Sequence, residues 1–246
     1  MPRSDDAPSR RETLQLISAA AAATAFVPSA AVAQTASITP APGDVFIVVD
    51  VQYDFLPGGA LAVPKGDEVI APINALAKRF QHVVMTQDWH TRAHVSFASR
   101  HAGKKPFEQT KLEYGDQVLW PDHCVQGTRG AMISDEVQIP HAELIIRKGY
   151  HPNVDSYSAF MEADRKTRTG LAGYLNERGL QRVFVAGLAT DFCVAWTALD
   201  AKSAGFDAYV IEDASRGIDT MGSLAAAWRN MTAQGVKRIT SAAIGA

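Results

Sequence analysis

Short apolar runs alternate with longer amphipathic segments along most of the chain. The apolar runs are rich in Val and Ile, a pattern typical of strands that are buried on both faces. These predicted strands lie at residues 45–49, 83–86, 144–147, 183–186, 208–211 and 238–240. Helical periodicity is found between them at residues 67–80, 169–177, 191–203 and 220–233. Because strands that alternate with helices form βαβ units, we predict an α/β protein with a parallel sheet covered on both faces.

Residues at the ends of the predicted helices support these boundaries. Asp67 and Thr169 stand where N-cap residues are expected. Gly179, Gly205 and Gly235 follow the last helical positions, where glycine commonly ends a helix in a left-handed conformation. Residues 88–141 are different, because they run through aromatics, histidines, prolines and glycines without a regular period. A connection of that length inside a compact domain usually has a function.

The N-terminal part of the chain resembles an export signal. Arg10 and Arg11 precede an alanine-rich apolar run over residues 14–32, an order similar to the twin-arginine signals that direct folded proteins to an export machinery. An amphipathic helix or a membrane anchor is the alternative. The run is rich in alanine, which is only weakly apolar, and contains Pro28, so no stable membrane anchor is expected.

The export-signal interpretation divides the chain into three segments. We predict an export signal over residues 1–33, a flexible lead over residues 34–42 and one catalytic-size domain over residues 43–246. The protein would be periplasmic if the signal is used and cytoplasmic if it is not.

Composition and charge narrow the class of ligand. The chain is 47% hydrophobic and 20% charged, with a formal net charge of −2. No run of Lys and Arg is long enough to follow a phosphate backbone, so nucleic acid is not expected and a small-molecule ligand is. Cys124 and Cys193 could form one disulfide in an exported protein, although a domain of this size does not need it.

Four reactive side chains lie where predicted strands end. Asp50, Asp88, Lys148 and Cys193 each come at or just after the carboxyl end of a different strand. In an open parallel sheet these ends share one edge, and ligands bind there at the point where the strand order reverses. We therefore expect the four side chains to meet in one crevice.

Three of these residues suit nucleophilic catalysis. Cys193 begins a predicted helix, where the helix dipole and free N–H groups favour a thiolate and can stabilise an oxyanion. Asp50 follows a buried strand, so burial could raise its pKa and make it a general base. Lys148 could hold an acid and a thiolate together. The alternatives are an inert buried cysteine, a solvated strand-end acid and a lysine with a solvated head.

A second group of residues suits a metal ion. Asp88 and His90 are alternate residues and share a face of an extended chain, and His123 from the long connection could complete the set. One carboxylate and two imidazoles suit zinc, iron or manganese. His94 is a candidate fourth ligand or a residue that supports the ligands from behind, and ordinary hydrogen-bonded loop histidines are the alternative.

Aromatic residues near the crevice could hold a flat ring. Phe55, Trp89 and Trp120 are the candidates, with ordinary packing as the alternative for each. Asp54 lies beyond the first strand and is interpreted as a turn or cap residue. Cys124 is interpreted as part of loop packing.

Five segments of the sequence resemble one known family. They read VVDVQYDFLPGGALAV, TQDWHTRAHVSFAS, LWPDHCVQGT, RKGYHPNVDSYSAF and VAGLATDFCV. In order and spacing they are similar to the nicotinamidase/pyrazinamidase branch of the isochorismatase-like cysteine hydrolases, from Val45 to the C-terminus. Tyr53 departs from the family, which usually has Asn there.

The resemblance implies a fold and a site. It implies a three-layer α/β/α domain with a six-stranded parallel sheet in the order 3-2-1-4-5-6. The implied catalytic residues are Asp50, Lys148 and Cys193, and the implied metal ligands are Asp88, His90 and His123. The implied oxyanion hole consists of the N–H groups of Ala189 and Cys193, next to a cis Leu188–Ala189 peptide. The implied substrate-binding residues are Phe55, Trp120 and Leu188.

The implied reaction is metal-dependent hydrolysis of nicotinamide to nicotinate and ammonia through a thioester, with pyrazinamide as a second substrate. One divalent ion is expected, zinc before iron or manganese. The alternatives are an amidohydrolase acting on a carbamoyl or ureido substrate and a non-catalytic periplasmic protein that binds a metal or nicotinamide. The chain could act as a monomer or as a homo-oligomer.

Overall fold

The computed structural model describes residues 37–245, and a six-stranded parallel sheet lies at its centre. The strands of the chain are β1 (Asp44–Val49), β2 (His82–Asp88), β3 (Gln109–Leu112), β4 (Gly115–Val118), β5 (Leu144–Lys148), β6 (Arg182–Leu188), β7 (Asp207–Arg216) and β8 (Lys237–Ile239). The central sheet has the order β5-β2-β1-β6-β7-β8, while β3 and β4 form a separate hairpin. Counted within the sheet, this is the predicted order 3-2-1-4-5-6.

Four α-helices connect the strands. They are α1 (Ile70–Ala77), α2 (Leu171–Glu177), α3 (Ala195–Ser203) and α4 (Ser223–Ala233). All four begin later than predicted, and for α1, α3 and α4 the reason is a preceding 3₁₀ or π-helical turn. A tighter or wider turn changes the direction of the chain before the regular helix begins.

The predicted ends of α2, α3 and α4 are confirmed, whereas α1 ends at Ala77 and not at Phe80, and one predicted N-cap is wrong. Gly179, Gly205 and Gly235 adopt positive φ angles shortly after α2, α3 and α4. The Thr169 hydroxyl accepts a hydrogen bond from the Leu171 N–H at the start of α2 (3.2 Å). Asp67 instead lies inside the 3₁₀ turn before α1 and caps no helix, since no side-chain cap bond is made there.

Both faces of the sheet are covered by apolar packing. All of β1 is buried, and its alternate residues face opposite sides. Phe46 packs in a cluster with Ile73 of α1 on one face. Ile47 packs with Leu171 of α2 and Ala198 of α3 on the other face. Burial of each large apolar side chain contributes about 1.5–3 kcal/mol, so the three-layer α/β/α arrangement is the one that buries both faces of β1.

The long connection between β2 and β5 contains structure that the sequence did not predict. The β3–β4 hairpin lies within it, with Gln109 paired to Val118 and Leu112 to Gly115. Isolated bridges also join His90 to Val125 and Phe97 to Trp120. The connection is therefore pinned to the carboxyl end of β2, close to the crevice.

Residues 1–36, which include the predicted export signal, lie outside the described part of the chain. Backbone hydrogen bonds join the described part of the predicted lead to the C-terminal end. The Ile38 N–H donates to the Ala243 carbonyl (2.7 Å), and the Gly245 N–H donates to the Ile38 carbonyl (2.8 Å). Among residues 37–245, no helix has the length and apolar character needed to cross a membrane.

Candidate active site

Asp50, Lys148 and Cys193 meet at the carboxyl edge of the sheet. Asp50 directly follows β1, Lys148 is the last residue of β5, and Cys193 lies in the π-helical turn (Thr190–Val194) between β6 and α3. Lys148 Nζ is 2.8 Å from Asp50 Oδ2 and 3.3 Å from Cys193 Sγ. Asp50 and Lys148 are fully buried, and Cys193 is buried as well. We call these three residues the strand-end cluster.

Charges within this cluster and its neighbour Asp88 compensate for burial. Burial raises the pKa of the Asp50 carboxyl, and Asp88 adds to this while Lys148 opposes it. Burial disfavours the Lys148 ammonium, but Asp50 and Asp88 outweigh it and raise its pKa well above the ordinary value. Lys148 therefore keeps its proton at neutral pH.

The Cys193 thiol also keeps its proton. Burial raises the pKa of Cys193 well above the ordinary value, with Lys148 lowering it and Asp50 raising it. The sequence predicted that the helix start would favour a thiolate, and this expectation is wrong for the resting site. A buried thiol beside two carboxylates needs a base to remove its proton.

Thr86 orients Asp50, although the sequence did not identify it. Its hydroxyl accepts the Asp50 N–H (3.1 Å) and donates to Asp50 Oδ1 (2.6 Å). Asp50 has a φ of 49°, in the left-handed region that few residues other than Gly, Asn and Asp adopt. The only sequence signal for Thr86 is a hydroxyl within an otherwise apolar run.

Asp88, His90 and His123 form the second cluster, the candidate metal centre. Asp88 Oδ2 is 3.5 Å from His90 Nε2 and 3.8 Å from His123 Nε2. One potential ligand atom from each residue lies within 4.8 Å of the others, and all three residues are buried. The predicted set is therefore brought together from the end of β2 and from the long connection.

The other ring nitrogens of these histidines are held by the backbone. His90 Nδ1 is 2.9 Å from the Gly149 carbonyl oxygen, and His123 Nδ1 is 2.8 Å from the Pro121 carbonyl oxygen. Histidines that bind metals are commonly oriented in this way by a partner on the second nitrogen. A Cβ at Gly149 would lie 2.4 Å from the His90 ring. The donor set and its orientation fit a divalent metal ion.

Asp88 links the two clusters. Its Oδ1 accepts a hydrogen bond from Lys148, while its Oδ2 faces the two histidines. Burial would raise the pKa of Asp88, but Lys148 and His90 outweigh this effect and hold it well below the ordinary value. Gln52, which the sequence did not identify, fixes the Asp88 backbone through bonds to its N–H and carbonyl (both 2.8 Å).

His94 lies behind His90 and uses both ring nitrogens elsewhere. Its Nδ1 is 2.7 Å from Ser96 Oγ, and its Nε2 is 3.1 Å from the Val154 carbonyl oxygen. The ring centroids of His90 and His94 are 4.3 Å apart. Burial, with a contribution from His90, lowers the pKa of His94 to about 4. This placement suits packing against a ligand more than direct ligation.

A pocket opens beside both clusters and has aromatic walls. Its apolar lining consists of Phe55, Leu61, Trp120, Tyr157, Phe192 and Ile218. Trp120 meets Phe192 edge to face at 4.8 Å. The predicted Phe55 and Trp120 are therefore in the pocket wall, and Cys193 and the metal-centre residues face the same space.

Two residues predicted near the ring lie elsewhere. The Leu188 side chain is fully buried in the apolar core and is not in the pocket lining. Trp89 packs under the Arg147 guanidinium, 3.9 Å from its ring centroid. Trp89 lies between Asp88 and His90, and the alternation of side chains in extended backbone directs it away from the crevice.

The backbone next to Cys193 borders the pocket. The Leu188–Ala189 peptide is cis, as the resemblance implied. Ala189 and Cys193 both line the pocket. The Ala189 carbonyl accepts the N–H groups of Phe192 and Val194 (3.0 and 3.1 Å), which closes the turn that presents the sulfur.

Asp54 and Cys124 have structural surroundings. Asp54 accepts the backbone N–H groups of Ala60 (3.2 Å) and Cys124 (2.7 Å), in agreement with its interpretation as a turn residue. Cys124 and Cys193 are both free. Tyr53 faces away from the pocket, where its hydroxyl donates to Asp135 (2.9 Å) and its ring packs under Arg129.

Known proteins share this arrangement of sequence and fold. A model of the isochorismatase domain matches residues 44–243. A nicotinamidase from Acinetobacter baylyi is 60% identical over 195 residues, which is 79% of this chain and 91% of that protein.

Two solved structures extend the comparison. A nicotinamidase/pyrazinamidase from Acinetobacter baumannii superimposes with a TM-score of 0.82 at 58% identity, covering 82% of this chain and 98% of that one. A pyrazinamidase from Pyrococcus horikoshii in complex with zinc has a TM-score of 0.67 at 37% identity, with 81% and 99% covered. The chain belongs to the isochorismatase family, in its nicotinamidase and pyrazinamidase branch.

Proposed function

We propose that this protein hydrolyses nicotinamide to nicotinate and ammonia, and pyrazinamide to pyrazinoate and ammonia, through a thioester on Cys193. The observation that carries the proposal is that Cys193, which contacts Lys148 of the buried strand-end cluster, lines an aromatic pocket. A relative that shares 60% identity over most of both chains is a nicotinamidase, which supports the same substrate class here.

The pocket walls suit a planar heteroaromatic ring. We infer that the ring lies between Phe55 and Trp120, because both line the pocket next to Cys193 and aromatic faces pack well on flat rings. The Leu188 side chain is buried in the core and does not line the pocket, so we assign it no contact with the ring. The carboxamide carbon would then approach the Cys193 sulfur, which also lines the pocket.

The first half of the reaction forms the thioester. Asp50, whose pKa is raised by burial, accepts the Cys193 proton, and the sulfur attacks the carboxamide carbon. The N–H groups of Ala189 and Cys193 would stabilise the oxyanion. Lys148 remains protonated between the reacting groups. Asp50 then gives its proton to the leaving nitrogen, the C–N bond breaks and ammonia departs.

The second half of the reaction releases the acid. Asp50 removes a proton from water, and the resulting hydroxide attacks the thioester carbon. The C–S bond breaks, nicotinate leaves, and the proton on Asp50 returns to the Cys193 sulfur. Each proton that Asp50 accepts is passed on, so the site is restored.

We infer that Asp88, His90 and His123 hold one divalent ion, with zinc before iron or manganese. One carboxylate and two imidazoles suit each of these ions, and the similar pyrazinamidase from Pyrococcus horikoshii is a zinc complex. When bound, such an ion supplies a Lewis acid that orients the ring nitrogen. His94 would support it indirectly, through its packing against His90.

The test is ammonia release from nicotinamide by the wild-type protein and by Cys193→Ala. The variant should lose turnover while keeping its metal content, because no predicted metal ligand is changed. Cys124→Ala, at the other buried cysteine, is the matched control and should retain turnover. Turnover by Cys193→Ala would contradict the assignment of the nucleophile.

Chelation tests the metal assignment separately. Removal of the ion should abolish ammonia release, and addition of zinc, iron(II) or manganese(II) should restore it. Undiminished turnover by protein shown to be metal-free would contradict the proposal. Turnover of ureido or carbamoyl compounds in place of nicotinamide would indicate the related amidohydrolase activity.

We also propose that the protein is exported to the periplasm by a twin-arginine-type signal. The support is the Arg10–Arg11 pair before an apolar run and the start of the family match at residue 44. Replacing both arginines by lysine in the full chain should retain the protein in the cytoplasm, as measured by cell fractionation. An unchanged distribution would contradict export by this route.

A further inference from the structure

The β3–β4 hairpin carries a glutamine that is buried behind the aromatic wall of the pocket. Gln117 is 2% exposed. Its Nε2 is 2.6 Å from the Val118 carbonyl oxygen, 2.7 Å from Asp155 Oδ2 and 2.9 Å from the Tyr157 hydroxyl. Its Oε1 accepts the Tyr114 hydroxyl proton (2.9 Å). Both ends of the amide are engaged, as a buried polar side chain requires.

The neighbours of Gln117 fix the orientation of its amide. The Tyr114 hydroxyl accepts the Asp155 N–H (3.2 Å) and so directs its own proton to the glutamine oxygen. The nitrogen faces only acceptors or a hydroxyl. A flipped amide would place its oxygen against a carbonyl and a carboxylate, so one orientation is favoured.

The network reaches the pocket through Asp155 and through two aromatic residues, Tyr157 and Trp120. The Tyr157 hydroxyl accepts hydrogen bonds from Gln117 Nε2 (2.9 Å) and from Trp120 Nε1 (3.1 Å). Tyr157 and Trp120 both line the pocket, whereas Gln117 does not. Gln117 therefore holds the hydroxyl that joins two wall residues without facing the ligand itself.

We propose that Gln117 is a positioning residue, which acts through the Tyr157 hydroxyl to set the geometry of the aromatic wall. It determines how tightly a planar pyridine or pyrazine carboxamide binds, and it leaves the rate of amide cleavage to the strand-end cluster. This inference rests on the proposed function.

The first test separates KM from kcat. Gln117→Met keeps the side-chain length and removes the hydrogen bonds. It should raise the KM for nicotinamide by about tenfold, the factor expected for about one buried hydrogen bond. The value of kcat should stay within about threefold. Gln109→Met, at an exposed position of the same hairpin, is the matched control and should change neither constant.

The second test asks whether Gln117 acts through Tyr157. Tyr157→Phe removes the hydroxyl that Gln117 holds. In that background Gln117→Met should change KM by less than about twofold, because the effects of residues in one network are not additive. Equal factors in both backgrounds would overturn the inference. A fall in kcat at constant KM would overturn it as well.

Tyr114→Phe is the substitute variant for this test if Gln117→Met does not fold. It removes the donor to Gln117 Oε1 and the acceptor of the Asp155 N–H, and it substitutes no pocket-lining residue. It should raise KM by about threefold, and Tyr157→Phe should suppress the effect. An unchanged KM would overturn the inference. Absence of ammonia release from the wild-type protein would instead defeat the proposed function on which the inference rests.

Discussion

The strand-end cluster and the connection between β2 and β5 supply different kinds of groups to one pocket. The strand ends supply Asp50, Lys148 and Cys193, which are charged or nucleophilic and are held by the sheet. The connection supplies His123 and Trp120, whose polar atoms are held by single hydrogen bonds to the loop backbone or to Tyr157.

This difference separates chemistry from recognition. Sheet pairing places Asp88 directly opposite Lys148, so the positions of the charges follow from the backbone register. The connection has no such register beyond the hairpin and isolated bridges. We therefore expect changes at the strand ends to lower kcat and changes in the connection to raise KM. Lys148→Met and Trp120→Leu test this comparison directly, and Glu162→Gln and Tyr53→Asn test positions outside both regions.

Lys148→Met should have the largest effect. It removes the cation that contacts Asp50 and Asp88 and leaves two buried carboxylates without it. We expect kcat to fall by about 10³-fold or more. The free energy of unfolding should fall by about 3–5 kcal/mol, because breaking a buried ion pair leaves charge uncompensated. Ammonia release and urea denaturation measure the two effects.

A surface pair provides the control for Lys148→Met. Lys202 and Asp207 form a partly exposed ion pair at 3.5 Å. Lys202→Met should change stability by less than about 1 kcal/mol and leave kcat unchanged. Equal losses of stability in the two variants would break the distinction between buried and surface charge.

Trp120→Leu should have the next largest effect, on the recognition side of the comparison. It removes one wall of the pocket and the donor to Tyr157. We expect KM for nicotinamide to rise by about 10–100-fold, the cost of about 1.5–3 kcal/mol of aromatic contact. Trp228→Leu, at a tryptophan that packs under Arg238, should leave KM unchanged. A loss confined to kcat would contradict the separation of roles.

Glu162→Gln tests what burial does to a carboxylate that forms no salt bridge with any described residue. Glu162 is buried, and its Oε2 has no hydrogen-bond partner among the described residues. Burial, with Asp164 and Asp155 nearby, raises the pKa of Glu162 to about 7. The folded state therefore holds this proton more tightly than the unfolded state, whose carboxyl has a pKa near 4.5.

The sign of the pH effect follows from that difference. Stability should decrease as pH rises from about 4.5 through about 7, because the folded state binds more protons in this window. Glu162→Gln should match the wild type at pH 5 and exceed it by about 2 kcal/mol at pH 8. The exposed Glu177→Gln is the control. An equal difference from the wild type at both pH values would contradict the prediction.

Tyr53→Asn should have the smallest effect. It restores the residue that the family usually has, and it removes the bond to Asp135 and the packing under Arg129. We expect a loss of about 1 kcal/mol in stability, with kcat and KM within about twofold of the wild type. A larger change in kcat would show that this surface contact reaches the strand-end cluster.

Prediction from sequence succeeded where the local pattern carries the information. Strands such as β1 are buried on both faces, so an apolar run marks them directly. The β3–β4 hairpin was missed because its strands, QTKL and GDQV, are four residues long and largely polar. The predicted helix starts were early because the turns before α1, α3 and α4 share the helical spacing of apolar residues.

The residues of the candidate site also fall into those that the sequence predicts and those that it does not. Residues at strand ends were found because topology brings such ends together. Thr86, Gln52 and Gln117 were missed because their roles depend on hydrogen bonds to residues far away in sequence. The expected thiolate at Cys193 failed because burial and neighbouring carboxylates outweigh a helix start.

Backbone hydrogen bonds between Ile38 and residues 243–245 hold the two ends of the described chain next to each other. A short linker could join these two ends with little loss of conformational freedom, since they already touch. New ends could then be opened at the exposed turn around Gly103, which lies outside the central sheet. We therefore expect the fold to tolerate circular permutation, in which the order of the segments along the chain changes and the central sheet is retained.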